Sequence, residues 1–176
     1  IQMAKFLNPY RDEDHRMNLI VKRLVKWMKG ETAPPYQINL YFTKKCNLGC
    51  KFCYYSGVDG PIEYSNELSK EDLIKLATEG CDFGIDSWYM AGGEPFTRPD
   101  ELLAMMTIIK QKGKFGNLNT NGTLLTKEII HKLVEIEWDE ITFSIDSAEP
   151  KIHDFLRGGK KTFEKWCMLF FAVVVN

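Results

Sequence analysis

Three thiols within eight residues, Cys46, Cys50 and Cys53, offer the ligand chemistry of a metal ion or an inorganic cluster. Thiolates are soft, electron-rich donors that suit iron–sulfur clusters and zinc. A structural zinc site usually takes four ligands, and His15, His131 and His153 all lie far from this stretch in sequence. An iron–sulfur cluster is therefore the stronger reading, with zinc, completed by Cys81 or a histidine brought in by the fold, as the alternative. Three thiolates on a four-iron cluster leave one iron open. An open iron can bind a ligand, whereas a fully ligated cluster mainly passes electrons.

A second stretch, Gly92-Gly93-Glu94-Pro95, removes side chains from two consecutive positions, which lets backbone groups approach a ligand closely, and Glu94 could receive an ammonium group. Taken alone, Gly-Gly followed by Pro also reads as a simple turn. The other candidates are weaker. Cys81, beside a helix end, and Cys167, in an apolar run, read as packed thiols. Tyr54 and Tyr55 would pack the cysteine loop or face a substrate, and His153 reads as a loop residue with no paired nucleophile.

These residues must be positioned by a unit that recurs along the chain: a short strand, a loop and an amphipathic helix. Strands are expected at Tyr36 to Thr43, Ile85 to Ala91, Phe115 to Thr120 and Glu140 to Asp146. The helices expected between them run from Lys70 to Glu79, from Pro99 to a stop at Gly113, and from Lys127 to Glu137, with a last helical stretch after Thr162. Ser69 with Asp72 and Thr97 with Asp100 have capping-box spacing, Leu68 and Leu73 are placed as a hydrophobic staple, and Thr126 is a further cap. Ahead of the first strand, residues 12–29 carry Met17, Ile20, Val21, Leu24, Val25 and Met28 at helical spacing, which predicts a helix laid on the core and capped by Gly30.

Strands alternating with such helices predict a parallel α/β fold. Ile38, Leu40 and Phe42 share one strand face and Gln37, Asn39, Tyr41 and Thr43 the other, while Asn117, Asn119 and Asn121 repeat the polar pattern. A sheet covered by helices on both sides would be apolar on both faces. One polar face favours a curved sheet with a polar lumen, able to hold a small polar ligand near the C-terminal strand ends.

Composition narrows the partners. With 23 Lys plus Arg against 24 Asp plus Glu in 176 residues, there is no basic field to recruit nucleic acid or an anionic membrane. The longest apolar run, Trp166 to Val175, is too short to span a bilayer, and no secretory signal pattern is visible. Five cysteines at this length do not make a disulfide scaffold, so a reducing cytoplasm is expected. Met3 could be the true start.

Cys46, Cys50 and Cys53 in a CxxxCxxC arrangement, with Phe52 before the last cysteine and Gly92-Gly93-Glu94-Pro95 after the next strand, resemble the radical S-adenosylmethionine (radical SAM) superfamily. Further along, Asn119-Thr120-Asn121-Gly122, Ser144-Ile145-Asp146-Ser147 and His153-Asp154-Phe155-Leu156-Arg157-Gly158-Gly159 resemble its peptide- and protein-modifying branch with a SPASM-type extension. The resemblance runs from about Tyr36 to Lys165.

It implies a partial (β/α) TIM-like barrel over residues 36–176, preceded by an N-terminal helical extension over 1–35. It further implies a 4Fe-4S cluster on Cys46, Cys50 and Cys53, with S-adenosylmethionine chelated at the open iron. Phe52 would lie near the adenine, and Gly92, Gly93, Glu94 and Pro95 would bind the methionine amino group. Asn119, Asn121 and Ser144 would contact ribose or carboxylate, and Arg157 would neutralise the carboxylate. The implied reaction is reductive cleavage of S-adenosylmethionine to a 5′-deoxyadenosyl radical that abstracts hydrogen, with a peptide or protein as substrate and a flavodoxin or ferredoxin as one-electron reductant. An iron–sulfur electron carrier, a zinc-binding module and an inactive partial barrel are the alternatives. Four strand–helix units are counted where the family core has six, so a truncated core without the later strands is expected, and the charge-free run from Trp166 lacks the polar face of the earlier helices.

Overall fold

The computed structural model describes residues 13–54 and 67–174, with side chains as far as Met168. The readings placed on Met3, Asp12, Tyr55 and Val175 lie outside the described residues. Among the described residues four strands, β1 (Gln37–Thr43), β2 (Ser87–Gly92), β3 (Phe115–Thr120) and β4 (Glu140–Phe143), form one sheet. All neighbours are parallel and lie in chain order.

That order decides the winding. Parallel neighbours need crossover connections, and right-handed crossovers that always step the same way along the sheet bring every helix to one face. The linking helices are α2 (Lys70–Phe83), α3 (Pro99–Gln111) and α4 (Lys127–Glu135). Leu73 and Ala77 of α2, Met105, Met106 and Ile109 of α3 and Leu133 of α4 pack with Phe42, Trp88, Met90 and Leu118 from the strands in a single core. Each of the large side chains buried there contributes about 1.5–3 kcal/mol relative to exposure. A doubly wound sheet would reverse direction at its centre and cover both faces. Here the second face stays polar, as the alternation predicts. Asn39, Tyr89, Asn117 and Glu140 stand in one row across the sheet, and Asn117 donates to Glu140 Oε2 at 2.7 Å.

The helix starts follow local chemistry where a side chain is free to cap. Ser69 and Asp72 make the expected capping box on α2, and Thr126 Oγ1 accepts from Ile129 N at 3.3 Å on α4. At α3 the expected box is absent: Arg98 is the N-cap residue, without a side-chain cap. Thr97 Oγ1 instead donates to the Glu94 carbonyl at 2.7 Å, inside a single 3-10 turn, Pro95–Thr97, that takes up the chain before α3 begins. After β4 come α5 (Pro150–Arg157) and α6 (Thr162–Val174). His153 therefore lies on a helix and is buried, not in a loop.

The N-terminal helix, α1 (Glu13–Met28), forms as expected but is not laid on the core by its apolar stripe. No residue of α1 is buried, and Met17, Val21, Leu24, Val25 and Met28 are exposed. What holds it is Arg23. Its guanidinium donates to the Pro34 carbonyl at 3.1 Å and the Gly84 carbonyl at 2.9 Å, lies over the Tyr36 ring and pairs with Asp86. Lys114 Nζ donates to the other Asp86 oxygen at 2.7 Å. Burial alone would raise the Asp86 pKa, but the hydrogen bonds and charges of Lys114 and Arg23 hold it below the usual aspartate value.

A carboxyl depressed in the folded state contributes stability that is fully present above its unfolded pKa of about 3.9 and is lost as the pH falls through the folded value. Asp86→Asn should cost about 2 kcal/mol in urea unfolding at pH 7 and flatten the loss of stability toward pH 3. Equal acid slopes in the two proteins would show that the triad is not set in the folded state.

Candidate functional site

The four parallel strands all end at one edge of the sheet, and a motif follows each end. Thr43 leads into the cysteine loop, Gly92 into Gly93-Glu94-Pro95, Thr120 into Asn121-Gly122, and Phe143 into Ser144 through Asp146. This is the edge at which parallel α/β sheets carry their ligands.

The cysteine loop has no helix or strand between Lys44 and Tyr54, so its neighbours set its shape. From β2, Gly93 N donates to Thr43 O and Glu94 N to Lys45 O, each at 2.7 Å. A Cβ on Gly93 would stand 2.1 Å from Lys45 O, and one on Gly92 2.4 Å from Thr43 O. The two glycines thus admit the backbone of the cysteine loop itself.

From the end of β3, Asn121 Nδ2 donates to Asn47 Oδ1 at 3.0 Å, and Asn47 Nδ2 donates to Thr123 Oγ1 at 2.8 Å. From the end of α5, Leu156 O accepts from Lys51 N at 2.8 Å, and Gly158, at φ +64°, lies so close that a Cβ would meet Gly49 O at 2.1 Å. Glu67 ties the loop's base: Oε1 accepts from Thr43 Oγ1 at 2.6 Å and from Lys44 N at 2.9 Å. Burial opposes ionisation of Glu67, but these bonds and the charges of Lys45 and Arg98 hold its pKa below the usual value.

None of the three thiols is in a disulfide; Cys46 is exposed and Cys50 and Cys53 are half-buried. Packing around the Cys46 sulfur raises its pKa, a hydrogen bond from the Leu48 backbone lowers it, and Glu94, Cys50 and Cys53 raise it again. Those last three groups are therefore its electrostatic neighbours. Among the described residues no set of His, Cys, Asp and Glu closes round a single ion. Neighbouring thiols on one clamped loop, each able to take a separate iron, fit a 4Fe-4S cluster.

Glu94 is fully buried, with 0% of its surface exposed. Its Oε1 accepts from Thr120 Oγ1 at 2.7 Å and Phe96 N at 3.1 Å, and its Oε2 from Asn121 N at 2.8 Å. Burial raises its pKa against the pull of those donors. The carboxylate joins the ends of β2 and β3 and caps the turn that begins at Pro95, which is itself buried.

Arg157 comes to the cysteine loop from the C-terminus of α5. Its Nη1 stands 3.9 Å from Cys50 Sγ, its guanidinium carbon 5.6 Å from the centre of the Phe52 ring, and its Nη2 donates to Asp146 Oδ1 at 2.9 Å. Phe52 is otherwise exposed. Asn119 and Ser144 stand on the polar sheet face, where Ser144 Oγ donates to Asn119 Oδ1 at 3.2 Å.

The rest of the His153 to Gly159 stretch holds structure. His153 Nδ1 accepts from Asp146 N at 3.4 Å and its ring packs edge-on to Phe163. Desolvation and the charge of Arg157 lower its pKa, favouring the neutral form. Asp154 accepts from Lys161 N at 2.7 Å and Phe163 N at 3.0 Å, anchoring the start of α6. Cys81 is buried among the core residues and Cys167 is half-buried, both outside the cysteine loop. Sequence reasoning missed Asn47, Glu67 and Asp146. The only available signal was an amide inside the cysteine stretch and acidic side chains flanking it or the Arg157 helix.

The model of the Radical SAM superfamily matches residues 40–170. The chain is 35% identical over 122 residues to Fe-coproporphyrin III synthase of Methanosarcina barkeri, covering 69% of this chain and 30% of that protein. It is 31% identical over 126 residues to PqqA peptide cyclase of Methylocella silvestris, covering 70% of this chain and 32% of that one. The chain thus spans about a third of the length of these relatives. Among solved structures, Streptococcus suis SuiB bound to S-adenosylmethionine superposes with a TM-score of 0.68 at 21% identity over 96% of this chain and 37% of SuiB. SuiB bound to its precursor peptide SuiA gives 0.67 at 22% identity, over 97% and 37%. At that identity the likeness concerns the fold.

Proposed function

The chain belongs to the radical SAM superfamily, and from that premise we propose that it forms part of the core of an enzyme that cleaves S-adenosylmethionine reductively and modifies a peptide. The observation that carries the reading is the clamped loop of Cys46, Cys50 and Cys53, set at the strand ends beside a polar sheet face. When bound, a reduced 4Fe-4S cluster supplies the electron that splits a carbon–sulfur bond of S-adenosylmethionine, giving a 5′-deoxyadenosyl radical that takes hydrogen from an unreactive carbon.

The chain's own residues bind and orient. Cys46, Cys50 and Cys53 hold the cluster, and Phe52 flanks the adenine. The Gly92-Gly93 backbone receives the amino group, because the Glu94 carboxylate is already shared among three donors and sealed from solvent. Glu94 and Pro95 keep that backbone in place. Asn119 and Ser144 reach the ribose from the polar face, while Asn121, tied to Asn47, keeps the β3 end against the cysteine loop. Arg157 stands where a cation can meet a carboxylate. Residues 36–176 make up the core portion and 1–35 an extension.

A peptide substrate is favoured by the likeness to a peptide cyclase, and a flavodoxin or ferredoxin is the fitting class of reductant. A porphyrin is the second reading, since the relative matched at 35% identity acts in that chemistry by its name. Among the described residues no helix is long and apolar enough to cross a membrane, and we place the enzyme in the cytoplasm, where thiols stay reduced.

Anaerobic reconstitution followed by iron, sulfide and zinc analysis tests the reading, with S-adenosylmethionine and a strong reductant then added. The expected result is an iron–sulfur chromophore and accumulating 5′-deoxyadenosine. A cluster without cleavage would favour an electron carrier, and zinc without sulfide a binding module.

A further inference from the structure

Arg157 and Asp146 form a pair whose position the binding of S-adenosylmethionine does not by itself explain. Their side chains are only 12% and 21% exposed, and Arg157 Nε stands 2.6 Å from Asp146 Oδ2 while Nη2 donates to Oδ1. One hydrogen bond, from Nη2, and the close ionic contact of Nε, which makes no hydrogen bond among the described residues, hold the guanidinium against the carboxylate. The third nitrogen, Nη1, is thereby presented to Cys50 Sγ at 3.9 Å, at the outer reach of an N–H to sulfur contact. The Phe52 ring lies against the guanidinium, its centre 5.6 Å from the guanidinium carbon. Backbone supports the same arrangement, since Lys51 N donates to Leu156 O, joining the residue after Cys50 to the residue before Arg157.

We propose that Arg157, oriented by Asp146, is a positioning residue that donates to the Cys50 thiolate and raises the reduction potential of the cluster. The inference rests on the cluster assignment made above. On one-electron reduction the site gains one negative charge, part of which appears on the ligand sulfurs. A fixed cation and an N–H donor beside one of those sulfurs stabilise the reduced form more than the oxidised form. The low exposure of the Arg157 side chain strengthens the effect.

The test is a potentiometric titration of the reconstituted protein without S-adenosylmethionine, followed by electron paramagnetic resonance of the reduced cluster. Leaving S-adenosylmethionine out removes any contact of Arg157 with its carboxylate. Arg157→Leu and Arg157→Gln should both move the midpoint to more negative potential. The expected size is a tenfold fall in the ratio of reduced to oxidised cluster at a fixed potential, which is about 59 mV for one electron. Arg157→Lys, which keeps the charge, should lie nearer the wild type than either. Where the leucine variant fails to assemble a cluster, the glutamine variant decides. A wild-type midpoint in Arg157→Gln overturns the inference, as does a lysine variant displaced as far as the glutamine one. Failure of the wild-type chain to assemble any iron–sulfur cluster overturns the underlying cluster assignment instead.

Discussion

On the proposed function, replacing Cys50 by alanine should reduce bound iron and sulfide to background and end the formation of 5′-deoxyadenosine. Two thiols, Cys46 and Cys53, then remain on the loop, and the backbone hydrogen bonds that shape it stay in place, while the contact of Arg157 with the Cys50 sulfur is lost. The loss is therefore one of ligation, not of folding. The matching control is Cys81→Ala. Cys81 is 4% exposed on α2 and packs in the core, so its truncation costs about 1 kcal/mol of stability and leaves iron and sulfide unchanged. Iron, sulfide and thermal unfolding measured on the three proteins separate the two roles. Iron retained by Cys50→Ala at the wild-type level would remove Cys50 from the ligand set.

The second large effect is expected at Gly93. A methyl group there meets Lys45 O at 2.1 Å and Lys44 O at 2.7 Å, and both are backbone atoms that cannot swing aside as a side-chain end can. Relief requires the strand end and the cysteine loop to part, which breaks the hydrogen bonds Gly93 N to Thr43 O and Glu94 N to Lys45 O. Overpacking and two lost hydrogen bonds together amount to roughly 3–5 kcal/mol. Gly113→Ala supplies the scale for conformation alone: its φ is +68° but nothing lies within 4 Å of the added Cβ. That variant should lose about 1–2 kcal/mol and keep its cluster. Urea unfolding and iron retention compare them, and equal losses in both would mean that the Gly93 contact carries no special weight.

Much of the architecture was legible because it is written in short-range patterns. Ser69 and Asp72 are three residues apart, and their capping box follows from spacing alone. Alternation along β1 marked the two faces of the sheet, and the polar face pointed to barrel-type winding, which the strand order in the sheet then matched. The cysteines were legible as chemistry because few other roles require three thiols on one loop.

What was not legible is which partner each polar side chain takes. Glu94 and Thr120 are 26 residues apart, Asn121 and Asn47 are 74 apart, and Arg157 and Cys50 are 107 apart. Glu94 by its charge, and Asn121 through the family resemblance, were expected to face a ligand. Their packing turns the first inward and ties the second to the loop. Thr97 failed as a cap for the same reason, since the buried turn at Pro95 claimed its hydroxyl. The apolar stripe of α1 predicted burial, yet one arginine with a buried acidic partner holds the helix.

The gap of 107 residues between Cys50 and Arg157 also has a meaning in time. A ribosome adds roughly 5–20 residues per second, so the cysteine loop leaves the exit tunnel about 5–20 s before the α5 segment that closes over it. During that interval the thiols lie on a nascent chain lacking the Leu156 and Gly158 contacts and the Arg157 cation. On the proposed cluster assignment, iron and sulfide would enter the finished site only late in the life of the polypeptide, and the order of synthesis would leave the thiols open to oxidant before they reach their final geometry.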